Sequence, residues 1–412
     1  MNATRQVAAL LLSAAFLATA TLAPRTASAE PEKKVSRDLA KTLKAAQDAI
    51  NAKKYPEALA KLKEAESNPK KTPFDEHVIN QFSGLIYVKQ NNYPEAARAF
   101  EAQLNDGFLD QKEVPGIVKA LAQISYQIKN YDKAIEFGNR AIKGGYGDED
   151  LETVVGQAYY LKGDWKGTLK FEEGLVEEDI KKGKTPKDQQ LQLVLSACVK
   201  LQDADCTTNA LEKLVSYYPK TEYWQNLLYT IRQANSQSDK AMLQTYRLMY
   251  ETDILKEPND YSEMAQLAIE QGSPGEAQHV LERGFQKNVF TDARLQDKNK
   301  RLLESAKKLA TADQATLPKM EKDADSAATG DKAVALGLAY LGYQQYDKAA
   351  DDLNKGLQKG GVRNEPEARL LLGIAQLKAG RKEDAVKSFR AVKGDPALER
   401  LANLWALHAK QA

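Results

Sequence analysis

The stretch Tyr93–Ala97 reads YPEAA, and a motif of the same form recurs along the chain. The motif is an aromatic residue, two mostly polar residues, an alanine and an apolar residue. Further copies are YPEAL at Tyr55–Leu59, YDKAI at Tyr131–Ile135 and YDKAA at Tyr346–Ala350. Because one motif that returns along a chain is the sequence signature of a repeat architecture, we expect an array of similar units.

The alanine of this motif, or a residue in its place, returns at intervals of 31 to 42 residues. One interval is 72 residues, which indicates one further unit without the motif between Ala277 and Ala349. The repeated positions are Ala58, Ala96, Ala134, Thr168, Ala210, Ala241, Ala277, Ala349 and Ala385.

A second signal lies twelve residues before the repeated alanine, where a small residue is followed three positions later by an aromatic one. Gly84 with Tyr87 and Gly337 with Tyr340 are clear examples. Apolar residues at intervals of three and four predict helices, and turn residues such as Asn91 separate two helices in each unit. Since one helix pair buries too little apolar surface to be stable, we expect the pairs to stack.

This pattern resembles the tetratricopeptide repeat, with its period of about 34 residues. The resemblance is best in the units that contain Ala96, Ala134, Ala349 and Ala385. It implies an all-α fold: a right-handed α-solenoid of stacked helix-turn-helix units, about nine to ten of them, with a C-terminal capping helix. The family binds proteins and peptides and is not catalytic, so the resemblance implies a binding protein and not an enzyme.

Composition narrows the possible functions. The 412 residues contain 59 Lys and Arg against 57 Asp and Glu, and this near-neutral balance argues against nucleic acid as a partner. No glycine-rich phosphate loop or nucleophile elbow occurs. His279, one of only three histidines, has no second His or Cys nearby in sequence. We therefore expect no cofactor, no metal site and no catalytic residues.

Residues 1–29 have the three parts of a secretory signal peptide. Arg5 precedes an apolar run over residues 7–23, and Ala27-Ser28-Ala29 forms a small-x-small cleavage site. We expect cleavage after Ala29 and a periplasmic protein with no membrane span in its mature form. The alternative is an uncleaved membrane anchor, although the run barely reaches the ~20 residues that a spanning helix needs.

The mature chain divides by how well it matches the repeat pattern. Residues 30–290 form an N-terminal array, and residues 331–412 form a C-terminal pair of units followed by the capping helix. Residues 291–330 lack the motif but keep apolar residues at helical spacing, which predicts a non-standard helical hairpin in one repeat slot. This segment is either a hinge or a repeat that has drifted.

Cys198 and Cys206 are the only cysteines, and a predicted turn separates them. Exported proteins meet an oxidising environment, which favours a disulfide between the two. A redox pair is the weaker interpretation because reactive pairs usually have Cys-x-x-Cys spacing, and two free thiols are the third.

In tetratricopeptide repeat proteins the first helix of each pair lines the inner face. Matching positions in the middle units carry mainly amides, hydroxyls and tyrosines, which suit the backbone groups of an extended peptide. The alternative is that this concave surface is merely hydrophilic and binds no peptide. Members of the family that clamp acidic C-terminal tails use Lys, Asn and Arg at matching positions. In this chain only Lys119 matches that set. The candidate groove residues are Lys119, Gln123, Tyr126, Thr153, Gln157, Tyr160, Gln192, Tyr223, Asn226, Thr230, Gln233 and Gln266.

The aromatic stretch Tyr217–Trp224 has two interpretations. It is either a ligand-stacking patch, or a place where Trp224 opens a first helix and packs into the preceding pair.

Two functions fit these observations. The first is a periplasmic scaffold or adaptor that binds a protein or peptide segment in its groove. The second rests on resemblance alone: an accessory subunit of an envelope machine, for TonB-type energy transduction or for outer-membrane or cell-wall assembly.

Overall fold

The computed structural model describes residues 33–411, and within them the chain forms twenty α-helices and no β-strand. The prediction of an all-α helical repeat fold is therefore confirmed. The expected signal peptide and its cleavage site lie outside the described residues. None of the helices within residues 33–411 has the length and apolar character needed to cross a bilayer.

The helices divide between two compact units. Unit 1 comprises residues 33–184 together with Ser196–Gln202. It contains four helix pairs. They are α1 (Arg37–Asn51) with α2 (Tyr55–Glu66), α3 (Pro73–Lys89) with α4 (Tyr93–Asn105), α5 (Val114–Gln127) with α6 (Tyr131–Lys143), and α7 (Glu149–Lys162) with α8 (Trp165–Lys181).

Helix α9 (Asp188–Lys200) contributes residues to both units. The rest of unit 2, residues 203–411, begins with α10 (Ala204–Tyr217). It continues with α11 (Thr221–Ala234), α12 (Asp239–Glu251), α13 (Pro258–Glu270), α14 (Pro274–Gln286), α15 (Ala293–Ser326), α16 (Asp331–Gly342), α17 (Tyr346–Lys359), α18 (Glu365–Lys378), α19 (Lys382–Arg390) and α20 (Pro396–Gln411).

In two of the pairs, a glycine on the first helix meets an aromatic ring on the second. A Cβ on Gly84 would lie 2.5 Å from Cε1 of Phe100. In the last pair, a Cβ on Gly373 would lie 2.4 Å from the same atom of Phe389. Both rings are about 1% exposed, so neither can swing aside into solvent. The glycine therefore makes room for the ring and lets the two backbones approach closely.

The turn inside each pair repeats the same backbone geometry. The residue two positions before the second helix has a left-handed conformation, with φ of 57° at Asn91, 60° at Lys129 and 61° at Gln344. Gly163 and Gly380 occupy the equivalent position in two other pairs. Glycine adopts this conformation without strain, whereas Lys129 and Gln344 are held in it by the short turn between two packed helices.

The segment without the motif is one continuous helix, so the prediction of a helical hairpin over residues 291–330 was wrong. Helix α15 runs for 34 residues from an N-cap at Asp292, and Pro318 lies inside it without ending it. Its inner face consists of small residues together with Asn299, whose side chain accepts a 2.7 Å hydrogen bond from Ser262. Farther along, Tyr343 donates to the Asp313 carboxylate at 2.6 Å. A long helix with many charged residues therefore replaces a pair of short ones.

Helix α20 ends the chain as a single helix, as the sequence indicates. It is buried on more than one face: Leu401, Leu404 and Trp405 are all buried. The Trp405 indole stacks on Phe389 with ring centroids 5.9 Å apart. The helix is therefore part of the core of unit 2 and does more than cover the last pair from solvent.

Cys198 and Cys206 form a disulfide, as predicted. Cys198 lies near the end of α9 and Cys206 near the start of α10, across the turn at residues 201–203. Asp203 caps α10 by accepting a 2.9 Å hydrogen bond from the Cys206 amide. The bridge therefore closes a short loop between two helices that are already held by their turn.

We predict opposite stability effects for two glycines of unit 1. Gly84→Ala should lower the free energy of unfolding by about 1–3 kcal/mol, because the new methyl group meets the immobile Phe100 ring. Gly116→Ala is the matched control: Gly116 lies inside α5, and nothing is within 4 Å of its added Cβ. That change should stabilise the protein by up to about 1 kcal/mol. Urea unfolding measures both, and equal effects would contradict the packing described here.

We also predict that a maleimide labels neither cysteine in the native, oxidised protein and labels both after reduction and unfolding. Reduction should cost about 2.5 kcal/mol in the chain-entropy model, because the closed loop is short. Urea unfolding with and without reductant gives this difference. Rapid labelling of Cys198 before reduction would contradict the bridge.

Candidate functional site

The predicted groove residues of unit 1 lie on two neighbouring first helices. Lys119, Gln123 and Tyr126 are on α5, and Thr153, Gln157 and Tyr160 are on α7. None of these six side chains is fully buried. The spacing of three and four residues places each set on one side of its helix.

Hydrogen bonds join these first helices to one another. The Tyr126 hydroxyl donates to Gln157 Oε1 at 2.7 Å, and the Tyr160 hydroxyl lies 3.0 Å from the hydroxyl of Ser196 on α9. Lys119 pairs with Asp148, the N-cap of α7. The same side chains that suit a peptide therefore also form a ladder between repeats. Because Asp148 neutralises Lys119, this part of the surface has little net charge.

Two aromatic rings support the tyrosines of the ladder. The ring of Tyr131 lies 6.0 Å from that of Tyr126, and the ring of Trp165 lies 5.1 Å from that of Tyr160. Partial burial raises the pKa of the Tyr126 phenol. The phenol therefore stays protonated at neutral pH and remains a hydrogen-bond donor.

The predicted groove residues of unit 2 are more varied. Gln192 donates to the Tyr223 hydroxyl at 2.9 Å, and that hydroxyl donates to Asp188 at 2.9 Å. Tyr223 itself is buried, so its role is mainly structural. The Thr230 hydroxyl bonds to a backbone carbonyl of its own helix. The side chains that remain exposed are those of Gln192, Asn226, Gln233 and Gln266.

A charged group beside Tyr223 was not singled out from the sequence. Lys220 lies 2.6 Å from the Asp188 carboxylate. Burial tends to raise the pKa of Asp188, but the hydrogen bonds from Lys220 and Tyr223 lower it overall. Asp188 is therefore ionised at neutral pH and anchors the start of α9 to the start of α11.

The structure agrees with the second interpretation of the stretch Tyr217–Trp224, in which Trp224 packs against its neighbours in the core. It is buried in the first turn of α11, where its ring lies edge-on to His408 at 6.2 Å. It is thus a core residue rather than a stacking platform for a ligand.

A second buried cluster, around Asp260, was also missed. Asp260 is only 2% exposed, accepts a 2.9 Å hydrogen bond from Tyr229 and pairs with Arg232. Burial raises the pKa of Asp260, and the bonds from Tyr229 and Arg232 oppose this effect. The two partners of Asp260 lie on α11, so the cluster joins α11 to α13.

The inner face of the C-terminal repeats has a different character. Positions equivalent to the groove residues are Glu367, Leu370, Ile374 and Leu377 on α18, three of them apolar. Leu370 is fully buried and Ile374 is 6% exposed. In a stack of helix pairs these positions face the groove, so another element must cover them.

Helix α20 packs against α18 within unit 2. Helix α12 is joined to α18 by polar contacts. Gln244 donates to Glu367 Oε1 at 3.1 Å, and Lys378 donates to Glu251 at 2.9 Å. Every residue of the stretch Ala241–Met249 is buried.

Helix α20 continues this surface. The ring of His408 lies 6.2 Å from both Trp224 and Trp405. The Gln411 amide donates to the Val215 carbonyl at 3.0 Å, and Arg400 lies 3.1 Å from Glu212. The last helix is thus fastened to α10 and α11.

No group of three or more His, Cys, Asp or Glu side chains in the described part of the chain could hold a metal ion. His279 is partly exposed, with Nδ1 3.8 Å from Glu282. The charged and polar groups described above bind one another.

One pattern in the sequence could have revealed that the inner face of α18 is buried. Counting inward positions through the last unit, as through the middle ones, gives mostly leucine and isoleucine in place of amides. No comparable pattern in the sequence marks the ladder partners Asp148 and Ser196 or the buried Asp260, since acidic and hydroxyl residues are common on helix surfaces.

A family model for the tetratricopeptide repeat matches residues 83–149 and 334–399. The chain is similar to a crystal structure of a tetratricopeptide repeat protein from Parabacteroides merdae, at 13% identity over 83% of this chain and 100% of that one, with a TM-score of 0.30. It is also similar to the TPR2AB domain of yeast Sti1 in complex with pHSP90, at 17% identity over 73% and 100%, with a TM-score of 0.24.

A third similar structure is a Rap protein complexed with competence and sporulation factor. The identity is 15%, over 79% of this chain and 87% of that one, and the TM-score is 0.26. No curated protein matches the chain.

We predict that acid weakens unit 2 through His408. Burial lowers the pKa of this imidazole below its usual value of 6.5, with Lys378 and Lys382 acting in the same direction and Glu251 against them. Between the lowered pKa and 6.5 the unfolded chain binds more protons, so stability falls as the pH is lowered through this range. Thermal unfolding between pH 7.5 and 5.5 should show this fall, and His408→Gln should reduce it. An identical pH slope in the variant would contradict the assignment.

Proposed function

Because two regions of the chain match the tetratricopeptide repeat model, we propose that the protein is a non-enzymatic periplasmic scaffold that holds an extended protein segment along the first helices of its central repeats. The observation that supports this most is the row of amide and hydroxyl groups on α5 and α7. Gln123, Tyr126, Gln157 and Tyr160 are all partly exposed there.

The chemistry of this row fits the backbone of a bound segment. An extended peptide presents alternating N–H donors and C=O acceptors, and amide side chains can match both. Tyrosine adds a large apolar surface that loses little rotamer freedom on binding, together with a hydroxyl. Since Asp148 neutralises Lys119, the surface favours an uncharged polar segment over an acidic tail.

The periplasmic part of the proposal rests on residues 1–29. Their basic start, apolar run and Ala27-Ser28-Ala29 ending are those of a cleaved secretory signal. The disulfide agrees with an oxidising compartment.

We predict that Tyr126→Ala and Tyr160→Ala each weaken partner capture by roughly 1–3 kcal/mol, since each removes a partly exposed ring that a bound segment would cover. The measurement is quantitative mass spectrometry of envelope proteins that co-purify with each variant. Tyr126→Phe keeps the ring and loses only the hydrogen bond to Gln157, so it should retain most of the binding.

Two controls accompany these variants. Tyr146→Ala removes an exposed tyrosine of unit 1 outside this row, and Lys170→Ala removes an exposed charge on a second helix. Both should leave the captured set unchanged, and circular dichroism should show equal helix content in every variant. If the Tyr126 and Tyr160 variants keep the full partner set, the inner face of these repeats is not the binding site.

A further inference from the structure

Helix α15 carries a local excess of basic residues that the chain as a whole does not have. Residues 293–312, its N-terminal part, contain six Lys and Arg against two Asp and Glu, whereas the whole chain has a surplus of only two basic residues. Residues 313–326 of the same helix contain two basic and four acidic residues. The positive charge of α15 is therefore concentrated in its N-terminal part.

Four of these cations form a row along one side of the helix, which we call the basic row. Its members are Arg294, Lys298, Arg301 and Lys308. At about 100° per residue they fall within an arc of about 80°, over a rise of about 21 Å, and all four are exposed. Ser305 and Ala312 share this arc and have small side chains, so the cations project beyond them.

The other side of α15 faces the rest of unit 2. The buried residues Asn299, Ala306 and Ala310 lie about 120–170° around the helix axis from the basic row. Helix α15 packs on α13, α14 and α16. The packing of the helix therefore holds the basic row on the outer surface of unit 2, facing solvent.

Throughout residues 33–411, no Asp or Glu side chain forms an ion pair with a member of the basic row. Neighbouring cations outside the row do have partners: Lys307 lies 3.7 Å from Glu282, and Lys300 donates to Gln296 at 3.4 Å. Arg294 lies in the first turn of α15, where the helix dipole disfavours a cation. Neither ion pairing nor the helix dipole therefore accounts for the basic row.

The geometry around the basic row favours a flat partner. Asp297 and Glu304 are exposed on one flank, roughly 55–75° around the axis from the centre of the row. A partner that wraps around the helix, as the major groove of a nucleic acid does, would meet both carboxylates, whereas a flat surface meets the row alone. The row also has no aromatic ring on which a base could stack.

An exposed apolar side chain lies on the other flank of the basic row. Leu309 is 42% exposed and directly follows Lys308. Helices that lie on a bilayer surface combine Lys and Arg with leucine or aromatic side chains, which enter the boundary between head groups and acyl chains. Leu309 is placed for this contact when the row faces a bilayer.

We propose that the basic row on α15 is a peripheral membrane-binding surface that holds unit 2 against a bilayer of anionic phospholipid. Each Lys or Arg near such a surface strengthens binding by roughly a factor of five. Because the four cations share one side of the helix, they reach the phosphate head groups together. The row is separate from the inner-face residues of α5 and α7, so the proposal does not depend on the function proposed above.

The test is co-sedimentation of the purified protein with lipid vesicles. Wild type should bind vesicles of mixed phosphatidylglycerol and phosphatidylcholine, should not bind phosphatidylcholine alone, and should be released by added salt, which screens the attraction. The row variant is Arg294→Gln/Lys298→Gln/Arg301→Gln/Lys308→Gln. It should bind the anionic vesicles at least about twentyfold more weakly, the factor for two of the four cations.

A matched control removes the same number of exposed charges from four other helices. This control variant is Lys89→Gln/Lys143→Gln/Lys170→Gln/Lys332→Gln. It should bind the anionic vesicles as wild type does, and circular dichroism should show equal helix content in all three proteins. Equal vesicle binding by wild type and the row variant overturns the proposal, and so does an equal loss in the control variant, because net charge alone would then explain it. Wild-type protein that binds double-stranded DNA but no vesicles has a different partner and overturns it too.

A second measurement needs no variant and serves if the row variant does not fold. Wild-type protein is acetylated at its lysines with and without the anionic vesicles, and the modified sites are measured by mass spectrometry. Lys298 and Lys308 should react several-fold more slowly when vesicles are present, because the bilayer covers them, while Lys89 and Lys170 keep their rates. If Lys298 and Lys308 react at the same rate with and without vesicles, the basic row is not the membrane-binding surface.

Discussion

The close approach of two helices at a small residue, with a large side chain of the second helix filling the space, is the constraint on which the rest of the molecule depends. Where Gly84 meets Phe100 and Gly373 meets Phe389, the distances leave no room for a side chain. A pair built this way has a narrow core and exposes apolar residues on both sides. Each pair must therefore be covered by a neighbour, and stacking follows from the shortage of buried area in a single pair.

Stacking brings first helices side by side, and the polar groups on them must then find partners. The ladder of Tyr126 with Gln157 and of Gln192 with Tyr223 shows one solution, in which the inner face is hydrogen-bonded and still partly exposed. The Asp260 cluster shows another, in which a carboxylate is buried because Tyr229 and Arg232 both bind it. The partly exposed ladder leaves polar groups that a binding partner can reach, and the buried Asp260 cluster does not.

The chain departs from the regular arrangement of pairs at two helices, α15 and α12. Helix α15 replaces two short helices by a single long one, and its small residues at Ala306 and Ala310 allow it to pack without an aromatic filler. Helix α12, also without a glycine contact, is buried along the whole stretch Ala241–Met249, where it packs against α11, α13 and α20. Degenerate repeats in the sequence thus mark the places where long-range packing takes over from the local pattern.

The sequence by itself determined most of the helices and their pairing and favoured the disulfide, because these depend on neighbours within about 40 residues that the spacing of alanine, glycine and aromatic residues reveals. It also indicated which residues lie on the first helices of the central repeats. Only the tertiary structure decided that the inner face of α18 is buried, that Trp405 lies in a core, and that Asp148 neutralises Lys119. Those outcomes depend on contacts between side chains that local periodicity does not encode, since a leucine on an inner face is the same letter whether water or another helix covers it.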